Sequence, residues 1–345
     1  MNDRSAKSNF NLTFNKPCPL GKSTIFSYMN KFKNTGNKDT RSGFGEGLYE
    51  LGKQNPKVVA LCADLIGSLK MDKFIADNPE RFFQTGIAEA NMIGVSAGLA
   101  TSGLIPFAGT FAAFATGRVY DQIRQSVAYS NKNVKIAASH AGLTLGEDGA
   151  THQMLEDLGM MKMLPNMTVI NPCDFNQTKA ATIAAANLNG PVYLRFGRPS
   201  VPNFTPENQA FTIGKAITLI EGSDVTIFAT GHLVWKAIEA AEQLESMGIG
   251  AEVINIHTIK PLDQEAILKS AAKTRAVVTA EEHMVNGGLG ESVAQVLAKH
   301  NPTPIEFVAV NDTFGESGKP EELLVKYGLD TPNVVAAAKK AISRK

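Results

Sequence analysis

The run NVKIAASH, residues 133–140, decides how the chain is read. It is short, mostly apolar, and stops at a histidine, after which AGLTLGEDGATHQ (141–153) turns on glycines. A brief apolar run bounded by turn residues reads as a buried strand. Outward from it, KVVALCAD (57–64), FFQTG (82–86), MTVINP (167–172) and PVYLRFG (191–197) repeat the pattern. Between them AEANMIGVSAGLATSG (88–103) reads as a long helix. Short β-rich runs alternating with helices predict a mostly parallel sheet covered on both faces, an α/β domain.

At GRPSVPNFTPENQAFTIG (197–214) the alternation breaks, with Pro199, Pro202 and Pro206 among polar residues. No helix or strand is expected to run through so many prolines, so a linker is placed at 201–214. The alternation then resumes through DVTIFATG, LVWKAIEAAEQLESMG, AEVINIHTI, DQEAILKSAAK, AVVTAEEH, GGLGESVAQVLAKH and PIEFVAV. The expected fold is therefore two doubly wound α/β domains, at 39–200 and 215–345, the second smaller. Residues 1–38 are rich in Asn, Lys and Ser with few acids and are read as an N-terminal extension. Their asparagines and single early arginine argue against a transit peptide.

A length of 345 residues with 43% hydrophobic content accommodates two cores. The 34 Lys plus Arg against 33 Asp plus Glu leave a charge of +1, which argues against a globally basic nucleic-acid binder but leaves room for a local phosphate pocket. Cys18, Cys62 and Cys173 form neither a disulfide framework nor a zinc spacing, and a reducing cytoplasm is expected. No apolar run is long enough to span a bilayer, so no membrane partner is expected.

Several stretches read two ways. Glu89, opening the helix of 88–103, either complements the helix dipole or hydrogen-bonds a ring nitrogen of a cofactor. Gly94, Ala97, Gly98 and Ala100 on that helix are small enough to let another helix approach closely. Phe111 and Phe114 in GTFAAFATGRVYDQ, three apart on an expected helix, are core packing or an aromatic clamp for a flat heterocycle. In GEDGATHQ, Asp148 is a turn residue or part of a site, and Thr151 is expected to cap a helix whose first turn holds His152. His140 ends its strand at the carboxyl edge, where open α/β sheets place ligands, and with His152 and Asp148 converging there the site reading stands level with the plain turn. The glycines of GFGEGL (43–48) and NGGLGE (286–291) do not fit the dinucleotide fingerprint.

Taken in order, TRSGF (40–44), ADLIGS (63–68), GIAEANM (86–92), GTFAAF (109–114), ASHAGLTLGEDGATHQ (138–153), GRP (197–199) and FGESGKPEELLVKYG (314–328) resemble the C-terminal half of transketolase, from about Lys38 to Ile342. The resemblance implies thiamine diphosphate as cofactor. It makes Glu89 the carboxylate that hydrogen-bonds the aminopyrimidine and helps it take the C2 proton, with Phe111 and Phe114 holding the ring and Asp64 and Leu65 lining the pocket near the thiazolium. It assigns His140 and His152 to the donor sugar and proton transfer, Asp148 to reading a hydroxyl, and Arg41, Ser68 and Arg198 to the substrate phosphate.

Two departures stand out. A further aromatic of many transketolases is Gly117 here, and the family's N-terminal domain, with its G-D-G and later Asn that hold the diphosphate and Mg²⁺, has no counterpart in these residues. The resemblance thus implies one subunit of a split transketolase, joined by an N-terminal subunit that carries the diphosphate and Mg²⁺ half, in an α2β2 assembly acting on sugar phosphates. The rival readings are a subunit like the β chain of a 2-oxo acid dehydrogenase, the matching half of a deoxyxylulose phosphate synthase, or a non-catalytic scaffold.

Overall fold

The computed structural model of the protein describes residues 32–345; the earlier part of the expected extension lies outside them. In chain order the strands are β1 (Asn37–Asp39), β2 (Val58–Cys62), β3 (Phe82–Gln84), β4 (Ile105–Phe111), β5 (Lys135–Ser139), β6 (Thr168–Ile170), β7 (Val192–Arg195), β8 (Ser200–Pro202), β9 (Ile217–Ile220), β10 (Val225–Ala229), β11 (Ala251–Asn255), β12 (Thr258–Lys260), β13 (Val277–Met284) and β14 (Ile305–Val310). They form a seven-stranded sheet, β12-β6-β7-β5-β4-β2-β3, a five-stranded sheet, β14-β13-β10-β11-β9, and the small pair β1-β8. Within the two large sheets the pairings are parallel except at β12 and β9, which sit antiparallel on the edges.

The parallel order follows from burial on both faces. Every residue of β2, β4 and β5 is buried, so none of these strands has a solvated side. In β5, Ile136 and Ala138 point into one apolar cluster with Leu61, Met92 and Ile93, while Ala137 joins Phe44, Leu48 and Phe107 on the opposite face. That is the period of two expected of a strand.

On the second face the helix Thr40–Gln54 lies close against the helix Phe175–Asn187, and GFGEGL is explained here. A Cβ on Gly43 would sit 2.3 Å from the Phe175 carbonyl oxygen, and one on Gly47 2.9 Å from Thr182 Cβ. The glycines serve helix contact rather than a nucleotide. Both helices are capped by aspartate: Asp39 Oδ1 accepts from Ser42 N at 2.9 Å, and Asp174 Oδ1 from Gln177 N at 2.8 Å.

The first apolar cluster continues from Tyr193 and Val169 of the larger sheet to Phe228, Ile254 and Val277 of the smaller one. The two halves therefore share a core within the compact unit Phe32–Lys345. AEVINIHTI, read as a single run, is divided: its first part is β11 of the small sheet, while its end supplies β12, the edge strand of the large one.

The proline-rich stretch holds one short strand after all. β8 pairs antiparallel with β1, Asn37 opposite Pro202 and Asp39 opposite Ser200. Strand pairing is compatible with proline on such an isolated edge. Asn37 and Lys38, assigned from sequence to the extension, belong to this pair, and Thr35 N donates to Asn203 O at 2.8 Å. No helix among the described residues is long and apolar enough to cross a membrane.

Candidate active site

The expected site residues gather where four adjacent strands end. Asp64 follows β2, Phe111 closes β4, His140 follows β5 and Arg198 lies three residues beyond β7, and these strands neighbour one another in the order β7-β5-β4-β2. Carboxyl ends of adjacent parallel strands are where open α/β sheets bind ligands. Asp64 and His140 both have φ near 59°, a left-handed conformation uncommon for residues with a side chain. Asp64 is fixed by its N–H, which donates to Gln84 Oε1 at 2.9 Å, and is exposed; Leu65 follows it, half-buried.

The helix Glu89–Thr101 begins with a carboxylate only 4% exposed. Its bonded partner is Arg118, whose Nη1 donates to Glu89 Oε1 at 2.9 Å. The same guanidinium lies 4.0 Å over the Phe114 ring, an arrangement of the cation–π type. Arg118 is the residue that sequence reasoning missed. A cation one place after Gly117 in an otherwise apolar stretch was its only signal, and the 29 residues separating it from Glu89 gave no clue to the pairing.

Phe111 and Phe114 do not share a helix face, as their spacing suggested. Phe111 ends β4 and the helical turn Ala112–Ala115 starts only after it, so a strand-to-helix corner brings the two rings to 5.8 Å and within 17° of parallel. From Phe111 the contacts run to His140, stacked at 3.8 Å, and from Phe114 to His152, edge-on at 5.5 Å. The Cβ position of Gly117 has no neighbour within 4 Å among the described residues.

His140 is buried, and its Nδ1 lies 2.7 Å from Ser139 Oγ. Burial, helped by the charges of Arg41 and Arg198, pulls its pKa down to about 3. The imidazole is therefore neutral near pH 7, with one nitrogen able to donate and the other to accept.

Arg41 is mostly buried, held by an ion pair with Asp39 at 3.3 Å and by the Ser68 carbonyl at 3.4 Å from its Nη1. Burial lowers its pKa, Asp39 opposes that, and the like charge of Arg198 adds to it. Arg198 is partly exposed and donates from Nη1 to the Leu145 carbonyl at 2.8 Å and to Glu147 Oε2 at 2.9 Å. Two cations, each paired with a carboxylate, are thus set near each other and near a neutral histidine.

GEDGATHQ is a turn over the sheet rather than a helix start. The next helix is Asp157–Met163, and Glu156, not Thr151, precedes it. His152 is half-buried, with Nδ1 2.9 Å from Thr151 Oγ1, and Asp148 is exposed next to Gly149 at φ 74°. Thr151 thus bonds its neighbouring histidine instead of capping. NGGLGE does open a helix, Leu289–His300, whose first amides are taken by Glu281.

Residues 37–203 match the profile of the transketolase pyrimidine binding domain, and residues 214–334 that of the transketolase C-terminal domain. A protein of Methanocaldococcus jannaschii described as a putative transketolase C-terminal section is 48% identical over 300 residues, spanning 86% of this chain and 94% of its own. The chain belongs to the transketolase family.

It corresponds to the C-terminal section of family members. A 6-deoxy-6-sulfo-D-fructose transketolase subunit of a Clostridium species is 47% identical over 298 residues, covering 86% of this chain and 92% of that one. Among solved structures, a split gene transketolase described as an inactive beta4 tetramer is 51% identical with a TM-score of 0.84, covering 88% of this chain and 98% of that one. The pyrimidine binding domain places the chain among thiamine diphosphate proteins. Glu89 and the paired phenylalanines suit such a heterocycle, because a buried carboxylate and a flat apolar stack are what an aminopyrimidine requires.

Proposed function

We propose that this chain is the C-terminal subunit of a two-chain, thiamine diphosphate-dependent transketolase that moves a two-carbon ketol unit from a ketose phosphate to an aldose phosphate. The observation that carries the proposal is Glu89. A carboxylate buried to 4% exposure, held among the described residues by one side chain, Arg118, and linked through it to an aromatic pair, is chemistry kept in reserve.

Bound thiamine diphosphate supplies the nucleophilic carbon of the reaction. Glu89 accepts a hydrogen bond from the ring nitrogen of the pyrimidine, which sets the tautomer needed to remove the reacting proton. Phe111 and Phe114 hold the ring, and Asp64 and Leu65 border the neighbouring part of the cofactor. His140, in its neutral form, and His152 bond the donor sugar's oxygens and pass protons, while Asp148 reads a hydroxyl. Arg41 and Arg198, with Ser68, grip the terminal phosphate, and guanidinium forks suit that role. The diphosphate and Mg²⁺ belong to an N-terminal partner subunit, and two of each chain form an α2β2 complex. The exposed face of Gly94 and Gly98, whose Cβ positions meet nothing within 4 Å among the described residues, is a place for subunit contact. The pentose phosphate pathway and the cytoplasm are the setting this reading implies.

The test is to purify the chain alone and with the N-terminal subunit, add Mg²⁺ and cofactor, and follow transfer from xylulose 5-phosphate to ribose 5-phosphate. Transfer only in the mixture supports the proposal. Transfer from a sugar ending in sulfonate and not from the phosphate would keep the reaction and replace the substrate, in line with the Clostridium relative. Pyruvate consumption with CO₂ release would overturn it in favour of an oxo acid enzyme.

A further inference from the structure

The loop that carries the sugar-site residues is held from the other half of the molecule. After β5 the backbone enters left-handed conformations at His140, φ 59°, and Gly142, φ 86°, and then makes a tight turn over Leu143–Leu145. Such conformations persist where the surroundings over-determine them. Here the surroundings come chiefly from β13, in the smaller sheet.

Glu282 of β13 is 3% exposed, and its Oε1 accepts from Thr144 N at 2.6 Å. Gly142 makes the approach feasible, because a Cβ there would lie 2.3 Å from that same oxygen. The backbone of β13 adds two bonds: Met284 N donates to Leu155 O at 2.8 Å, and the Glu282 carbonyl accepts from Arg195 Nη2 at 2.9 Å. Arg195 is itself locked, its Nε donating to Asp157 Oδ2 at 2.8 Å, where the Tyr193 hydroxyl also donates at 2.7 Å.

Beyond Glu282 the same support reaches the arginines. His232 Nδ1 lies 3.7 Å from Glu282 Oε2, and the ring packs on Gly197, where a Cβ would meet His232 Cε1 at 2.2 Å. Gly197 precedes Arg198 in the chain, and its N–H and carbonyl both bond Thr40 Oγ1, the residue before Arg41. The far side of the loop is closed by the segment after β14: Gln153 Nε2 donates to the carbonyls of Leu143 and Glu316, both at 3.0 Å.

We propose that Glu282 is a positioning residue of the sugar site: the carboxylate delivered by the second sheet fixes the backbone at 142–146 and, through it, the places of His140 and Asp148. The second domain is then a working part of the site as well as a partner in the core. The link to sugar rests on the transketolase reading given above, whereas the hold on the loop does not.

The experiment has two readouts. On the chain itself, amide hydrogen exchange of Glu282→Ala is expected to speed up over 142–146 by about tenfold or more, the loss of one hydrogen bond to a charged acceptor, while β5 and Leu289–His300 keep their protection. Glu282→Gln retains an acceptor for Thr144 N and should restore slow exchange. In the complex with the N-terminal subunit, Glu282→Ala should raise KM for the donor sugar about tenfold with a smaller change in kcat and unchanged cofactor affinity, and Glu282→Gln should return KM toward the parent value. Unchanged exchange over 142–146 would overturn the proposal. So would an unchanged donor KM in a complex that transfers. If Glu282→Ala loses protection throughout, Glu282→Asp decides, because it keeps the charge but is one methylene too short for Thr144 N. A parent complex without any transfer would refute the transketolase reading, and the exchange data would still decide whether Glu282 holds the loop.

Discussion

Glu89 and Glu281 are two buried glutamates, each beside the start of a helix, and the fold uses them in opposite ways. Glu281, in the middle of β13, spends both oxygens on the helix it faces: Oε2 accepts from Leu289 N at 2.6 Å and Oε1 from Gly290 N at 2.7 Å. Its charge complements the helix dipole and satisfies amides that have no partner within the helix. Glu89 opens its own helix, and its bond goes to Arg118, a side chain 48% exposed. One glutamate is consumed by structure. The other retains hydrogen-bonding capacity that a ligand can take up, so the count of partners, not burial or helix position, separates a cap from a site.

Substitution tests that contrast directly. Glu89→Gln should lower transfer turnover in the two-subunit complex by about 10²–10⁴-fold, the range for loss of acid–base function, with unfolding close to the parent. Glu281→Gln should do the reverse, lowering stability by about 1–3 kcal/mol in urea unfolding while the folded fraction keeps its turnover. Equal losses of turnover in the two variants would erase the distinction.

The buried ion pair beneath the site gives the next largest effect. Asp157→Ala leaves Nε of the Arg195 guanidinium and the hydroxyl of Tyr193, both buried, without their acceptor. It should cost about 3–5 kcal/mol, read from the urea midpoint.

Replacing Arg41 and Arg198 together by alanine should raise KM for a phosphorylated donor roughly 10–100-fold, the value of a lost charge-assisted grip, and leave cofactor affinity in place. An unchanged KM would remove the phosphate assignment.

The smallest effect concerns acid. His140 has a folded pKa near 3, below its unfolded value of 6.5, so the unfolded chain binds the extra proton between those limits. Stability contributed by neutral His140 is present above pH 6.5 and is lost as pH falls toward 3. Buried His232 and His257, each pulled down to about 4, act in the same direction. His140→Gln should flatten the loss between pH 6.5 and 5.5 by at most about 1.4 kcal/mol, measured by denaturant unfolding at each pH. An unaltered pH profile would mean that His140 is not buried as neutral.

The strands and the strand-end rule were legible because they depend on local pattern. VVALC and KIAAS are apolar for the same reason that they are buried, and a histidine after the second had to lie at the sheet's carboxyl edge. What escaped depends on residues far apart. No spacing rule pairs Arg118 with Glu89, or brings Glu282 to Thr144 across 138 positions. Phe111 and Phe114 met as expected, but at a strand-to-helix corner, since the buried β4 extends to Phe111 and overrides the helical spacing. β12 joins the larger sheet, where β6 pairs with it antiparallel, a choice made by tertiary packing.

The most direct test of the role given to Glu89 is the rate at which the C2 hydrogen of thiamine diphosphate exchanges with solvent in the two-subunit complex, with the parent chain and with Glu89→Gln. The account predicts a fall of about 100-fold or more in the variant. Exchange at the parent rate would contradict it and return Glu89 to the role of Glu281, a carboxylate that serves only the fold.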